Sequence, residues 1–184
     1  MQYGGGIAPI AGAATMHNFP DQFPRPSGMI VRITVGSNAD LLEWSALRTS
    51  LWPDGSEAEH QEDVVQLMAE PQPFIGFLAR DQRGALVGFA EAALRVDYVN
   101  GCETSPVAFL EGLYVVEECR RQGIGRGLVD AVEAWARSMG CAELASDAML
   151  DNTVSHAMHA ALKFEETERV VYFRKLLTPM PLLS

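Results

Sequence analysis

The chain alternates segments whose apolar residues recur at the spacing of a helix with segments whose composition is typical of strands. Helical spacing predicts four helices, and the strand pattern predicts six strand regions, the last of them one long strand or two short ones. The predicted helices cover residues 39–50, residues 56 to the one before Pro71, residues 127–138 and residues 153–162. The predicted strands cover residues 29–35, 74–80, 86–96, 107–116, 141–147 and 164–176.

Local signals support several of these boundaries. Ser56 and Glu59 form a capping-box pattern before the second helix, and Gly140 ends the third. The turn at residues 81–84 joins two strands into a hairpin. The resulting order, β, α, α, β, β, β, α, β, α, β, predicts an α/β (α+β) domain whose largely antiparallel sheet contains a parallel pair in its middle.

Residues 1–28 differ from the rest of the chain. They contain Gly4-Gly5-Gly6, a small-residue run at residues 11–14 and prolines without periodicity, and they lack the basic start of a signal peptide. We therefore expect a flexible N-terminal extension at residues 1–28 and a single domain over residues 29–184. No apolar run reaches the length of a transmembrane helix, so no membrane association is expected.

The acidic composition narrows the partners. The formal net charge is −10, which argues against a nucleic-acid partner and suits a cationic small molecule. Cys102, Cys119 and Cys141 match no zinc or redox motif, which indicates reduced thiols in a cytoplasmic protein. His156 and His159 are three residues apart, but no further ligands converge in sequence, so no metal site is predicted.

The strongest chemical signal is the segment Arg120-Arg121-Gln122-Gly123-Ile124-Gly125, which follows a predicted strand and opens a predicted helix. Such a loop directs free backbone N–H groups and the positive end of a helix dipole at one point, and the arginines add charge. The pattern therefore favours a bound anion, most simply a diphosphate. It is neither a Walker A loop nor a dinucleotide fingerprint. A solvated helix entry that binds nothing is the alternative, which the neighbouring strand and helix units make less attractive.

Two carboxylates interrupt otherwise apolar central strands. Glu111 and Asp147 lie at or near the ends of the fourth and fifth predicted strands. An unpaired buried carboxylate is costly, so each is expected to have a partner or to face a water-filled cleft.

The glycine loop resembles the pyrophosphate loop of the GNAT acetyltransferases, which bind acetyl-coenzyme A. Further segments are similar to those of the aminoglycoside 6′-N-acetyltransferases of the drug-resistance type, and together the resemblance covers residues 29–177. These segments are residues 52–53, 97–102, 105–106, 109–112, 145–147 and 164–170. The resemblance implies a GNAT fold, in which about four helices flank a mixed, mostly antiparallel sheet with a splayed parallel pair. It also implies acetyl-coenzyme A as co-substrate and a homodimer.

The same resemblance assigns a cofactor side. Leu113, Tyr114 and Val115 would pair with the pantetheine arm, and the Val115 N–H would polarise the thioester carbonyl. Asn152 would bond the pantetheine, although a plain helix N-cap is an alternative and both roles can coexist. The residues expected to hold the pyrophosphate are Arg120, Arg121, Gln122, Gly123, Ile124 and Gly125.

An acceptor side follows in the same way, because carboxylates satisfy the ammonium groups of an aminoglycoside and aromatic faces cover its sugar rings. The expected acceptor residues are Trp52, Tyr98, Glu111, Asp147 and Glu168. The structural alternatives are a core position for Trp52, a strand aromatic for Tyr98 and a solvated sheet residue for Glu168.

Acyl transfer from a thioester requires a neutral amine, so a carboxylate must take its proton. Asp147 is the expected base, and Glu111 is expected to hold the amine or relay the proton. The amine attacks directly in a ternary complex, because neither Cys119 nor Cys141 has a His and acid partner that would make it a nucleophile.

Two departures from the family pattern lie near the end of the fourth helix. His159 takes the place of the tyrosine that commonly protonates the departing thiolate, and an imidazolium can do the same. An ordinary helix position is the alternative for His159. Lys163 stands where the family has glycine, so a strained left-handed helix end is expected there.

Three functions remain open at this stage. The first is acetylation of the 6′-amine of aminoglycosides, which confers resistance. The second is a GNAT enzyme for another amine, either a polyamine or a protein N-terminus, which has no need of the Trp52 and Tyr98 rings. The third is a non-catalytic coenzyme A sensor, which the intact loop and Asp147 disfavour.

Overall fold

The computed structural model of the chain describes residues 30–69 and 73–176. The predicted extension at residues 1–28 lies outside them. The strands are β1 (Arg32–Val35), β2 (Phe74–Arg80), β3 (Leu86–Arg95), β4 (Val107–Val115) and β5 (Leu144–Ser146). The helices are α1 (Leu41–Leu51), α2 (Glu57–Ala69), α3 (Ile124–Ser138) and α4 (Thr153–Ala161), with short 3-10 turns at Asn38–Asp40 and Glu117–Cys119.

The five strands of the described residues form one sheet in the order β1-β2-β3-β4-β5. The first three pairings are antiparallel, and β4 pairs with β5 in parallel. The predicted fold class is therefore confirmed, including the four helices and the parallel pair. That pair lies at the edge of the sheet in the described residues and not in its middle, because no further strand pairs with β5 there. The last parallel pair is Leu110 and Ser146, after which β5 ends while β4 continues to Val115. The sheet consequently opens between these two strands.

Each face of the sheet is covered by its own helices. The apolar stripe of α3, including Leu128, Val132 and Trp135, packs on one face with Ala90 and Leu110. On the other face, α1 and α2 contribute Trp44 and Val64, which pack with Leu78 and Phe89. Burial of both stripes is what holds the helices on the sheet.

The predicted helix caps are confirmed. The Ser56 N–H donates to Glu59 at 2.8 Å, and the Glu59 N–H donates to Ser56 Oγ at 3.3 Å, which completes a capping box. The Asn152 side chain accepts the N–H of Ser155 at 3.0 Å at the start of α4. The predicted strain after α4 is also confirmed, because Lys163 has a φ of 69°.

The strand prediction for residues 164–176 is wrong for the described chain. This segment contains no strand, and its residues from Glu165 onward are exposed. Its β-branched and aromatic residues favour an extended backbone, but a strand also needs a neighbour whose N–H and C=O groups are available. No strand of the same chain pairs with it within the described residues, and Phe173 is 93% exposed.

Candidate active site

Glu111 occupies a β-bulge at the opening of the sheet. On β3, Glu91 faces Gly112 and Ala92 faces Leu110, so Glu111 is the extra residue of β4 and has no partner across the pair. It follows directly after Leu110, the last β4 residue that pairs with β5. The bulge therefore places this carboxylate at the point where β4 and β5 separate.

Glu111 has a partner, as expected for a carboxylate in an apolar strand. The partner is Arg95, at the end of β3. One guanidinium nitrogen of Arg95 lies 2.9 and 3.0 Å from the two carboxylate oxygens. The Arg95 guanidinium carbon also lies 3.4 Å from the centre of the Phe109 ring. Arg95 thus fixes the orientation of Glu111 and balances its charge.

Asp147 is the first residue after β5 and is exposed. It makes no hydrogen bond or ion pair with any other residue that the structure describes. Glu111 and Asp147 therefore begin the two diverging chains, and their carboxylates differ in one respect: that of Glu111 is paired with Arg95, and that of Asp147 has no partner among the described residues.

The glycine loop leads into α3, and the N-terminus of that helix has no side-chain cap. Arg121 has a φ of 58° and Gly123 a φ of 82°, so the chain makes two left-handed bends before α3 begins at Ile124. Gly123, the N-cap, offers no side chain to the N–H groups of the first turn. These donors and the helix dipole remain available to an anion.

The backbone of Val115 faces the opening. The Val116 N–H donates to the Val87 carbonyl on β3 at 3.0 Å. Because the peptide between Val115 and Val116 is planar and trans, the Val115 C=O points the other way, and Arg120 Nε donates to it at 2.9 Å. In an extended strand the N–H of a residue points to the same side as its C=O, so the Val115 N–H is directed away from β3.

Trp52 follows α1 and lies beside the bulge. The backbone N–H of Trp52 donates to the Arg48 carbonyl at 2.7 Å, and the backbone carbonyl of Trp52 lies 2.9 Å from His60 Nε2. Its ring fills the space beside Gly112, where an added Cβ would lie 2.5 Å from indole Cη2. Trp52 also packs against the cluster of Trp44, Val64, Leu78 and Phe89. It therefore occupies a core position, which was the structural alternative, and it also lies beside the residue that follows Glu111.

Tyr98 is 78% exposed and lies on the loop after β3, so it is not a strand residue. On the same loop, Gly101 has a φ of 76°, and an added Cβ would lie 2.1 Å from the Thr167 hydroxyl. This contact brings Glu168, the next residue, to the Tyr98 loop of the same chain. Glu168 is exposed and belongs to no strand.

His159 is partly enclosed on α4. Its Nδ1 lies 2.8 Å from the Ser155 carbonyl, so Nδ1 carries the proton that donates to that oxygen. Its Nε2 is buried without a partner among the described residues, and its ring meets the Phe164 ring edge-on at 5.1 Å. The neutral ring therefore presents the Nε2 lone pair.

Four residues of this region were not predicted from the sequence: Arg48, His60, Glu91 and Arg95. Glu91 and Arg95 are charged residues within a strand that is otherwise apolar, and this signal could have identified them. Arg48 and His60 stand on helices among other polar residues, where neither periodicity nor spacing distinguishes them.

Within residues 30–69 and 73–176, no group of three His, Cys, Asp or Glu side chains is arranged to hold a metal ion. The helices of this part of the chain are all too short or too polar to cross a membrane.

The sequence profile of the acetyltransferase (GNAT) family matches residues 40–164. An aminoglycoside N(6′)-acetyltransferase type 1 of Serratia marcescens is 52% identical over 79% of this chain and 99% of its own length. The enzyme of the same name from Acinetobacter baumannii is 50% identical over 76% of this chain and 94% of its own length.

Among solved structures, aminoglycoside N-acetyltransferase AAC(6′)-Iy in complex with CoA superposes with a TM-score of 0.76 at 40% identity, covering 83% of this chain and 99% of that chain. The same enzyme in complex with a bisubstrate analogue, CoA-S-monomethyl-acetylneamine, superposes with a TM-score of 0.75 at 40% identity, covering 80% and 99% of the two chains.

Proposed function

The chain belongs to the acetyltransferase (GNAT) family, and we propose that it transfers the acetyl group of acetyl-coenzyme A to the 6′-amine of aminoglycoside antibiotics, which confers resistance to them. The observation that carries this function is the opening between β4 and β5, flanked by Glu111 and Asp147, in a chain whose aminoglycoside N(6′)-acetyltransferase relative is 52% identical over 99% of its length.

Acetyl-coenzyme A supplies the acetyl thioester, and the residues near α3 fit its charged and polar parts. The uncapped first turn of α3, with Arg120 and Arg121 beside it, suits the pyrophosphate. The backbone groups of Leu113 and Val115 point away from β3 and suit the amide groups of the pantetheine arm, with Tyr114 between them paired to β3. Asn152 uses its side-chain oxygen as an N-cap, which leaves its amide N–H groups for a pantetheine carbonyl.

The acceptor surface combines carboxylates with aromatic rings. Trp52 lies beside Gly112, next to Glu111, while Thr167, the residue before Glu168, contacts Gly101 on the loop that carries Tyr98. Ammonium groups of the drug would pair with the carboxylates, and its sugar rings would lie on the aromatic faces. The net charge of −10 favours the approach of such a polycation.

Asp147 serves as the general base, and Glu111 holds the acceptor. The Glu111 carboxylate is already paired with Arg95, whereas Asp147 forms no ion pair with any residue that the structure describes. Asp147 removes a proton from the 6′-ammonium, directly or through water. The amine lone pair then attacks the thioester carbonyl carbon, and the Val115 N–H stabilises the developing negative charge on oxygen.

The C–S bond breaks as the amide forms, and the acceptor nitrogen releases its second proton to water. The leaving thiolate takes a proton from His159 in its imidazolium form. That proton sits on Nε2, because Nδ1–H is held by the Ser155 carbonyl. Transfer is direct: Cys119 and Cys141 are buried, and the pKa of Cys141 is raised by burial, which opposes a nucleophilic thiolate there. Ping-pong kinetics or an isolable acetyl-protein would contradict the direct transfer.

We place the enzyme in the cytoplasm as a homodimer. All three cysteines are free thiols, which suits a reducing compartment. The apolar side chains of Val170, Val171, Tyr172 and Phe173 are exposed in the single chain, and a second copy would cover them.

The function is tested by thiol release from acetyl-coenzyme A with 6′-amino aminoglycosides, one 6′-hydroxyl analogue, spermidine and a peptide amine. Turnover with the 6′-amino drugs alone is expected. Turnover only with spermidine or the peptide would replace the acceptor while keeping the donor. Coenzyme A binding without turnover on any amine would indicate a sensor.

A further inference from the structure

Glu91 is a buried carboxylate in the middle of β3, only 1% exposed. One of its oxygens accepts the Trp44 indole N–H at 2.7 Å, and the other accepts the guanidinium of Arg48, which is 6% exposed. Burial raises the pKa of Glu91, although the Arg48 guanidinium beside it favours the charged form. Neither residue is needed by the chemistry described above.

Stability alone is a weak reason for such a pair. Desolvation of two buried charges offsets much of their attraction, and apolar side chains of similar volume are often at least as stable in the same place. Its location is more informative than its energy, because Glu91 pairs directly across the sheet with Gly112, which follows the bulge residue Glu111.

Arg48 links this pair to Trp52. Its guanidinium carbon lies 4.8 Å from the centre of the indole ring, and its backbone carbonyl accepts the Trp52 N–H at 2.7 Å. The opposite constraint comes from β4, where the indole edge fills the space that Gly112 leaves free. The indole is therefore fixed from α1 by Arg48 and from the sheet by Gly112, one residue from Glu111.

We propose that Arg48 and Glu91 are positioning residues for the acceptor: their buried ion pair sets the orientation of the Trp52 indole relative to the Glu111 carboxylate. The inference rests on the proposed function, since it assumes that Trp52 and Glu111 contact the aminoglycoside. Within the described residues, neither member of the pair makes a hydrogen bond or ion pair with a residue assigned to coenzyme A, so its effect should fall on acceptor binding.

Three variants separate positioning from a structural role. Arg48→Lys keeps the positive charge but loses the planar guanidinium over the indole. Glu91→Gln keeps an acceptor for Trp44 and removes the charge that holds Arg48, whose other carboxylate partner, Asp63, lies 3.5 Å away and is largely exposed. The double change Arg48→Met with Glu91→Gln removes both buried charges and keeps an acceptor for the Trp44 indole, so only the exposed Asp63 loses its partner.

For each variant we would measure the melting temperature, the dissociation constant of coenzyme A, and the KM and calorimetric dissociation constant of a 6′-amino aminoglycoside on coenzyme A-saturated enzyme. All three are expected to raise the two aminoglycoside constants about tenfold, equivalent to about 1.4 kcal/mol, while the coenzyme A constant changes less than about twofold. Arg80→Met is the matched control, because Arg80 pairs with Asp40 and Glu43 away from Trp52; its aminoglycoside constants should match those of wild type.

Unchanged aminoglycoside constants in Arg48→Lys, or in a folded double variant, would overturn the inference. Equal losses for both substrates that follow the melting temperature would also overturn it, because that is the result of a purely structural pair. If the double variant does not fold, Arg48→Lys decides alone. A wild-type enzyme that acetylates no aminoglycoside would instead refute the proposed function. Wild-type turnover is therefore measured before any variant is tested.

Discussion

Arg95 donates to both carboxylate oxygens of Glu111 through a single guanidinium nitrogen, at 2.9 and 3.0 Å. The contact joins the end of β3 to the bulge of β4, and the Phe109 ring supports the guanidinium from below at 3.4 Å. The Glu111 carboxylate at the sheet opening is therefore held in one orientation, and its charge is balanced by that of Arg95. This relationship separates the roles of the two acidic residues at the opening.

Replacing Arg95 tests that separation. Arg95→Met should lower kcat/KM for the aminoglycoside by about tenfold, because Glu111 loses the contact that fixes its orientation. Steady-state kinetics at several pH values would measure the change, with the KM for acetyl-coenzyme A as an internal reference. Wild-type kinetics in this variant would show that Glu111 needs no partner.

Asp147 is expected to carry the larger catalytic effect of the two carboxylates. Asp147→Asn should lower kcat by about 100-fold or more, because the side chain that takes the amine proton is removed. Glu111→Gln should chiefly raise the aminoglycoside KM. The reverse pattern, with the loss of kcat in Glu111→Gln, would exchange the two roles.

His159 is tested in comparison with His156 on the same helix. His159→Ala should lower kcat by about tenfold or more and remove the alkaline limb of the pH profile, because the thiolate then leaves without an acid. His156, whose Nε2 lies 3.0 Å from the Met149 carbonyl, provides the control His156→Ala, which should retain wild-type turnover. An unchanged pH profile in His159→Ala would leave His159 as an ordinary helix residue.

Glu143 should make the unfolding free energy depend on pH. It accepts the Thr104 hydroxyl and the N–H groups of Glu103 and Thr104, and these contacts hold its pKa below the usual value of 4.5. Because the folded pKa is the lower one, the stabilisation is complete above the unfolded value and is lost as pH falls through the folded value.

The gap in melting temperature between wild type and Glu143→Gln should therefore be largest near about pH 7 and close toward about pH 3. Glu62→Gln on α2 is the control for the loss of one exposed carboxylate, because the Glu62 side chain makes no hydrogen bond or ion pair with another described residue. A constant gap at all pH values would mean that the Glu143 contacts do not depend on its charge.

The sequence was sufficient for the four helices and for the strands up to β5, because the signals for these elements are local. Helical spacing, the capping box at Ser56 and the glycine loop each depend on residues close together in the chain. Only part of the candidate site could be predicted from such local signals. Glu111 and Asp147 stood out as carboxylates in apolar strands. The Arg95 that pairs with Glu111 comes from β3, and the Arg48 that pairs with Glu91 comes from α1, and no spacing in the sequence encodes those contacts.

The segment at residues 164–176 failed for a related reason. Its alternation favours a strand, yet strand pairing depends on a neighbour that the sequence of the segment does not specify. By contrast, the strain at Lys163 was predicted correctly, because a left-handed helix end is a property of one residue and its own backbone.

That strain gives a prediction about stability. Lys163 follows α4 with a φ of 69°, a conformation that costs a residue with a Cβ about 1 kcal/mol or more relative to glycine. Lys163→Gly should therefore raise the unfolding free energy by about 1 kcal/mol and the melting temperature by about 2–4 °C. Lys163→Ala is the matched control, because it removes the same charge and keeps the Cβ, so it should give no gain. If both variants have the melting temperature of wild type, the conformation at residue 163 stores no strain. If both exceed wild type by the same amount, the effect belongs to the lysine charge.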